Sequence, residues 1–178
     1  GNYIAFFPSY RFMEEVYEHF ERRAEGIDII RQSQNMGEHE REEFLKEFDR
    51  DREYSLVGFC VMGGVFSEGI DLTADRLIGA IIVGTGLPQV CNDREILKGY
   101  FDARGMKGFD YAYLYPGINK VLQSAGRVIR TETDRGVILL LDDRFSQRQY
   151  RDSFPREWEN CQLCSDSTLG AYMDSFWK

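Results

Sequence analysis

Short unbroken apolar runs alternate with amphipathic stretches along the whole chain. Tyr3-Ile4-Ala5-Phe6-Phe7 is the first such run, and a run without polar alternation suits a strand covered on both faces. Pro8-Ser9-Tyr10 interrupts it. Phe12, Val16 and Phe20 then recur at helical spacing, which predicts an amphipathic helix over 9–24 with Ser9 as its N-cap. Ile27-Asp28-Ile29-Ile30 reads as a second strand. Residues 38–50 predict a surface helix turned inward on Phe44, Leu45 and Phe48. The stretch from Glu38 to Glu53 holds eight acids and four bases, the composition of a solvated face. Further strands are predicted over 55–62 and 79–83, helices over 93–104 and 111–130, and a last central strand over 137–141. In the second of these helices Ile118, Leu122, Ala125 and Ile129 share the inward face. The tail carries Trp158, Tyr172, Phe176 and Trp177, which predict a closing helix packed on the sheet.

Strands separated by helical segments define an α/β domain with a mostly parallel central sheet flanked by helices. No internal repeat, low-complexity tract or linker divides residues 1–178, so one domain is expected. The first core strand starts at the second or third residue, and the domain is expected to be excised from a longer chain.

Composition narrows the picture further. With 43% hydrophobic and 29% charged residues, the chain is unlike a disordered one. No apolar run approaches the ~18 residues of a membrane span, and the first twenty residues do not read as a signal peptide. Thirty acids against 22 bases give a net charge of −8. That excludes a generally basic nucleic-acid coat and leaves room for a groove with a few placed cations. Cys60 sits in an apolar run and reads as a small hydrophobe. Cys91 stands alone. Cys161 and Cys164 form one C-x-x-C with no second pair, and the chain has two histidines, so no metal site is expected. A cytoplasmic, reducing compartment is the expectation.

Ligands of parallel α/β sheets gather at the carboxyl ends of the strands, and three segments there carry chemistry. Ser9-Tyr10-Arg11 bring a hydroxyl, a ring and a guanidinium to a helix N-terminus, a place for a phosphate oxygen with the ring free to pack on a sugar or base; a capped helix with a surface tyrosine explains the same residues. Gly63-Gly64-Val65-Phe66-Ser67-Glu68-Gly69-Ile70-Asp71 has three glycines in seven residues, which permits left-handed backbone and close approach of a ligand. Ser67, Glu68 and Asp71 add a hydroxyl and two carboxylates to that loop. In Gln123-Ser124-Ala125-Gly126-Arg127-Val128-Ile129-Arg130, helical spacing puts Gln123, Arg127 and Arg130 on one face away from the core, with Gly126 in the helix interior. Two aligned guanidiniums suit a polyphosphate whose charge grows in a transition state; an exposed basic helix end, favourable to the dipole, is the bland alternative. The sequence has no Gly-Lys pair, so it has no phosphate-cradling G-x-x-x-x-G-K-[ST] loop. It offers arginines for a nucleotide and no grip of its own: half of a site.

In this order the segments resemble motifs IV, V and VI of superfamily-two DNA helicases. Ser-Glu-Gly-Ile-Asp at 67–71 and Gln-x-x-Gly-Arg-x-Ile-Arg at 123–130 carry the likeness. Phe-Phe-Pro-Ser-Tyr at 6–10 and Gly86-Leu87-Pro88 point to the DinG/XPD branch, and the similarity continues through Arg135–Leu139 to Asp143-Arg144-Phe145. The resemblance implies a RecA-like three-layer sandwich, the C-terminal helicase domain of a 5′-to-3′ ATP-dependent DNA helicase. It also implies that ATP and Mg2+ are clamped against an N-terminal RecA-like domain absent from this sequence. That domain would be the partner, along with single-stranded DNA. No membrane is implied, and a monomer is expected. Arg127 and Arg130 would face the γ-phosphate, with Gln123 positioning them. Glu68, Gly69 and Asp71 would bind or couple the nucleotide, and Ser9, Tyr10, Arg11 and Ser67 would line the DNA strand. The fragment alone would bind no cofactor and hydrolyse no ATP. An iron–sulfur cluster would belong only to the other half. Ser124 and Ile129 stand where many superfamily-two relatives have arginine and glycine, as fits this branch. The rival expectation is a non-catalytic RecA-like module that docks protein, with the acidic helix as its contact surface.

Overall fold

A computed structural model describes residues 1–67, 72, 76–129 and 131–178. Five strands form one parallel sheet: β1 (Asn2–Phe7), β2 (Ile27–Arg31), β3 (Ser55–Val61), β4 (Gly79–Val83) and β5 (Val137–Leu141), in the order β2-β3-β1-β4-β5. Tyr3 lies between Val57 of β3 and Gly79 of β4, so β1 is central.

Period-two alternation along the inner strands sorts the core onto two faces. Ile4, Phe6, Leu56, Cys60, Ala80 and Ile82 face one way and meet α2 (Glu38–Lys46) and α4 (Tyr115–Ala125). Ala5, Phe7, Val57, Phe59 and Val61 face the other way and meet α1 (Tyr10–Glu21). The result is three layers, helices on both faces of the sheet, as the alternation predicts. Gly58 has a packing reason within β3. A Cβ there would stand 2.8 Å from the ring of Phe48 and 3.2 Å from that of Phe44, so glycine lets both rings lie flat on the strand. These rings continue from α2 into the turn Glu47–Asp49 and are buried.

Several expected boundaries shift. Helix α1 starts at Tyr10, and its inward face is Met13 and Tyr17 supported by Val16 and Phe20. Phe12, expected inside, is 41% exposed and touches Phe7 edge-on at 6.2 Å. Helix α3 (Asn92–Asp102) buries no residue. A π-turn over Asp110–Leu114 leads into α4. That helix stops at Ala125 rather than running to 130, and Gly126 is its C-cap rather than an interior residue. Beyond it the bonds tighten to i→i−3, Arg127 N–H to Ser124 O and Val128 N–H to Ala125 O. This change of pitch turns Val128 into the core and leaves Ile129 49% exposed.

Strand β5 is an edge and not the central strand expected, since among the described residues it pairs with β4 alone. After it come the short α5 (Arg148–Arg151) and α6 (Asp166–Trp177). Helix α6 buries no residue, so the expected packing of Tyr172, Phe176 and Trp177 on the sheet is not found. Phe176 is held from outside, its carbonyl accepting from the Arg135 guanidinium at 2.6 Å. Trp158 does pack against the main core. Cys60 is fully buried, and that burial pushes its thiol well above the ordinary range. Among the described residues no helix is long and apolar enough to cross a membrane.

Candidate functional site

The carboxyl edge of the sheet collects what the sequence singled out. Strand β1 ends at Phe7, and Ser9 caps α1 by accepting the Phe12 N–H at 3.3 Å. That is the capping role, and it occupies one lone pair of the hydroxyl. Tyr10 follows, half-buried. Its hydroxyl accepts from Gln32 Nε2 at 2.7 Å, and burial, more than the nearby Cys60, raises its pKa. Arg11 points into solvent and pairs with Glu15 one turn on, at 3.0 Å.

Strand β3 ends one position along the same edge. The Met62 N–H donates to the Phe7 carbonyl at 2.8 Å, which ties the start of the glycine loop to the end of β1. The loop then folds over Ser67, a fully buried residue. Its hydroxyl accepts the Gly63 N–H at 2.9 Å and donates to the Val61 carbonyl at 3.3 Å. Gly63 has φ +70°, and a Cβ there would press at 3.3 Å on the Lys120 side chain. Left-handed backbone and the covering lysine both ask for glycine at this position.

Helix α4 closes the edge from below. Ser124, also fully buried, donates its hydroxyl to Ser67 Oγ at 3.4 Å. One residue away Gln123 is exposed, and Arg127 is half-buried with its Nε donating to the Gln123 carbonyl at 3.2 Å. The described residues therefore bring Tyr10, Ser67, Gln123 and Arg127 to one sheet edge. Glu68, Gly69, Asp71 and Arg130 lie outside the described residues. Because α4 ends at Ala125, the helical face expected to align Gln123 with Arg127 extends only to the helix end, and Arg127 sits in the turn that follows it.

Two residues here escaped the sequence reading. Gln32 is 2% exposed and touches both segments: its Nε2 meets Tyr10, and its Oε1 accepts the Val61 N–H at 3.0 Å. Ser124 stood inside a quoted motif without a role. The available signal for Gln32 was its position, the first polar side chain past an apolar strand at the ligand-bearing edge. Among the described residues no three His, Cys, Asp or Glu side chains stand close enough to hold a metal ion. No magnesium ligand is assigned to this chain.

A five-stranded parallel sheet in this order, with a glycine loop in contact with the helix that bears Gln123 and leads into Arg127 at its carboxyl edge, is the arrangement of a RecA-like helicase domain. The chain belongs to the helicase C-terminal domain family, whose model matches residues 1–161. It is 26% identical over 169 residues to the ATP-dependent DNA helicase YoaA of Haemophilus influenzae, covering 93% of this chain and 25% of that protein. To the ATP-dependent DNA helicase DinG of Photobacterium profundum it is 37% identical over 89 residues, 49% of this chain and 13% of that one. An apo structure of XPD shares the fold at a TM-score of 0.65 and 21% identity, over 85% of this chain and 30% of that chain. The chain thus spans about a quarter of the length of the full-coverage relatives.

Proposed function

We propose that this chain is the second motor lobe of an ATP-dependent DNA helicase that moves 5′ to 3′. Its partner is an N-terminal RecA-like lobe that holds ATP and Mg2+. In this reading Arg127 and Arg130 complete the γ-phosphate pocket of ATP bound on the other lobe, with Gln123 holding them in place. Glu68, Gly69 and Asp71 couple the nucleotide to the DNA strand, Ser9, Tyr10 and Arg11 lie against that strand, and Ser67, expected on the strand but fully buried, braces the glycine loop from inside. The motor works as a monomer.

The observation that carries the reading is the Ser67–Ser124 contact. It fixes the glycine loop to the helix bearing Gln123 and leading into Arg127, on the edge where Tyr10 emerges. A strand-contacting segment and a phosphate-facing one then share one edge of the sheet. The chemistry follows from charge. A phosphoryl group in flight spreads negative charge over its oxygens, and guanidiniums arriving from a second lobe stabilise that charge more than the ground state. Closure is driven by the γ-phosphate and released once it departs.

Arg130→Ala in the full-length protein tests this. Related phosphoryl-transfer systems assign such arginines roughly 10³–10⁵ in rate, so ATPase should fall to background while single-strand binding persists. The isolated chain should hydrolyse no ATP and bind single strands weakly and salt-sensitively, given its net charge of −8. Near-normal turnover by Arg130→Ala, or robust hydrolysis by the isolated chain, overturns the reading. A full-length protein without ATPase points instead to a docking module.

A further inference from the structure

One buried side chain bridges the segment assigned to the DNA strand and the glycine loop and is explained by neither. Gln32 follows β2, the strand at the far edge of the sheet, yet its backbone N–H still pairs with the Phe59 carbonyl of β3 at 2.8 Å. The side chain therefore reaches inward along the carboxyl edge. Its two amide ends point to different elements: Nε2 donates to the Tyr10 hydroxyl at the start of α1, and Oε1 accepts the N–H of Val61, the last residue of β3. The path continues without a gap. The Val61 carbonyl accepts from Ser67 Oγ, and Ser67 Oγ accepts from Ser124 Oγ of α4. The amide also lies against Gly64, where a Cβ would stand 3.4 Å from Nε2 and 3.0 Å from the Val61 carbonyl.

Packing alone does not call for this arrangement. An apolar residue at 32 would fill the same space and leave only the Val61 N–H without its acceptor; the second bond, to the Tyr10 hydroxyl, serves no such backbone need, and a buried amide is tolerated only while both ends are bonded. Of the members, Gln32, Ser67 and Ser124 are each at most 2% exposed. Tyr10 alone is half open to solvent. The network is therefore sealed at the α4 end and has one exposed terminal, the ring expected to meet a nucleic-acid base or sugar. Burial strengthens hydrogen bonds relative to water, and the two short links at the Gln32 end, 2.7 and 3.0 Å, hold Tyr10 and Val61 relative to each other, while the Ser67 contacts at 3.3 and 3.4 Å are looser.

We infer that Gln32 is a positioning residue that links Tyr10 to the glycine loop and, through Ser67 and Ser124, to the helix leading into Arg127, so that strand engagement sets the arginine's position. The inference rests on the motor reading above and deepens it: Gln32 touches neither ligand and acts through Tyr10 and Val61.

The test separates ring contact from hydroxyl relay in the full-length protein. Tyr10→Phe keeps the ring and removes only the acceptor of the Gln32 bond. Gln32→Met keeps the length and volume of the side chain and removes both amide contacts. For each, three quantities are measured with oligothymidylate as the strand: affinity for it, ATPase without it, and the ratio of stimulated to unstimulated ATPase. Losing the Gln32–Tyr10 bond, the loss that both variants share, predicts a stimulation ratio about tenfold lower in each. Strand affinity should stay within about twofold in both, and strand-free ATPase should be unchanged in Gln32→Met. The double variant should be no worse than either single one, since both cut the same path.

Wild-type levels of stimulation in Tyr10→Phe overturn the inference alone, and so does a parallel loss of affinity and stimulation, which would put the hydroxyl on the strand itself. Should Gln32→Met unfold, Tyr10→Phe decides by itself, because its side chain is half-open and its ring is retained. A wild-type protein whose ATPase ignores the strand overturns the motor reading and this inference with it.

Discussion

Strands β3 and β5 look interchangeable in sequence and are not in the structure. Leu-Val-Gly-Phe-Cys-Val and Val-Ile-Leu-Leu-Leu are both unbroken apolar runs. Yet β3 is buried from Leu56 to Val61, whereas every residue of β5 keeps some exposure and Leu141 is 50% open. The difference is position in the sheet. Strand β3 has neighbours on both sides and aromatic side chains on both faces, with Phe44 and Phe48 on one and Tyr17 and Phe20 near Phe59 on the other. Among the described residues strand β5 has one neighbour, and α6, the longer of the two helices after it, buries nothing. Apolarity in a parallel sheet reports what a strand can tolerate; burial depends on what the rest of the chain brings to it. The candidate site follows the same division, built where β1 and β3 end and away from the β5 margin.

The sharpest way to break this comparison is to empty the β3 side. Phe48→Ala removes a ring that is 2% exposed and rests on Gly58. Such truncations cost about 3–5 kcal/mol because the cavity only partly collapses. Urea unfolding should show a loss of that size with an unchanged m-value. A loss below about 1 kcal/mol would mean that the α2 side is not a close-packed core.

Beside the apolar contacts of Ile138 and Leu140, the end of β5 carries a polar device. Asp142, the residue after the strand, accepts from the Arg144 backbone N–H at 3.0 Å and from its guanidinium at 2.8 and 2.7 Å. Those bonds, the side-chain one foremost, hold its carboxyl below the ordinary 3.8. The unfolded chain therefore takes up the proton at higher pH than the folded one. The stabilisation is complete above the unfolded value and disappears as pH falls through the lower folded value. Asp142→Asn should cost no more than about 1 kcal/mol at pH 7, because the amide oxygen can still cap and what is lost is the ion pair with the partly exposed Arg144. In strong acid the wild type and the variant should unfold together. A difference that persists unchanged into acid would show that the contribution is steric rather than ionic.

How far the sequence could be read follows from the same physics. The five strands, the three layers, the Ser9 cap and the inward turn of Phe44 and Phe48 rest on local patterning, and local patterning finds them. What it misses depends on partners distant in sequence. The inward residue of α1 is Met13 rather than Phe12 because the docked face is set by Phe7, Phe59 and Val61 of the sheet, which lie far from the helix in sequence or on another element. Helix α4 ends early because its last turn tightens, and that puts Val128 where Ile129 was expected. The edge position of β5 is invisible to any window along the chain. At the site, Tyr10, Ser67, Gln123 and Arg127 were marked by residue type and spacing, and they meet at one edge. Gln32 was unmarked because its meaning lies in Tyr10 and Val61, 22 and 29 residues away.

The smallest expected effect comes from the tail. Leu163 is 84% exposed between Cys161 and Cys164, beside a cleft of about 940 Å³ that runs along β5 and the start of α6. If the β5 margin carries little apolar burial, truncating a leucine there removes almost no buried surface and leaves no cavity. Leu163→Ala should then change unfolding stability by no more than about 0.5 kcal/mol in either direction. The value of the measurement lies in its contrast with Phe48→Ala: two apolar truncations in one chain, separated roughly sixfold or more in cost chiefly by burial, with the larger ring adding to the difference. A loss above about 2 kcal/mol at Leu163 would place the tail in the core and erase the distinction between the two margins of the sheet.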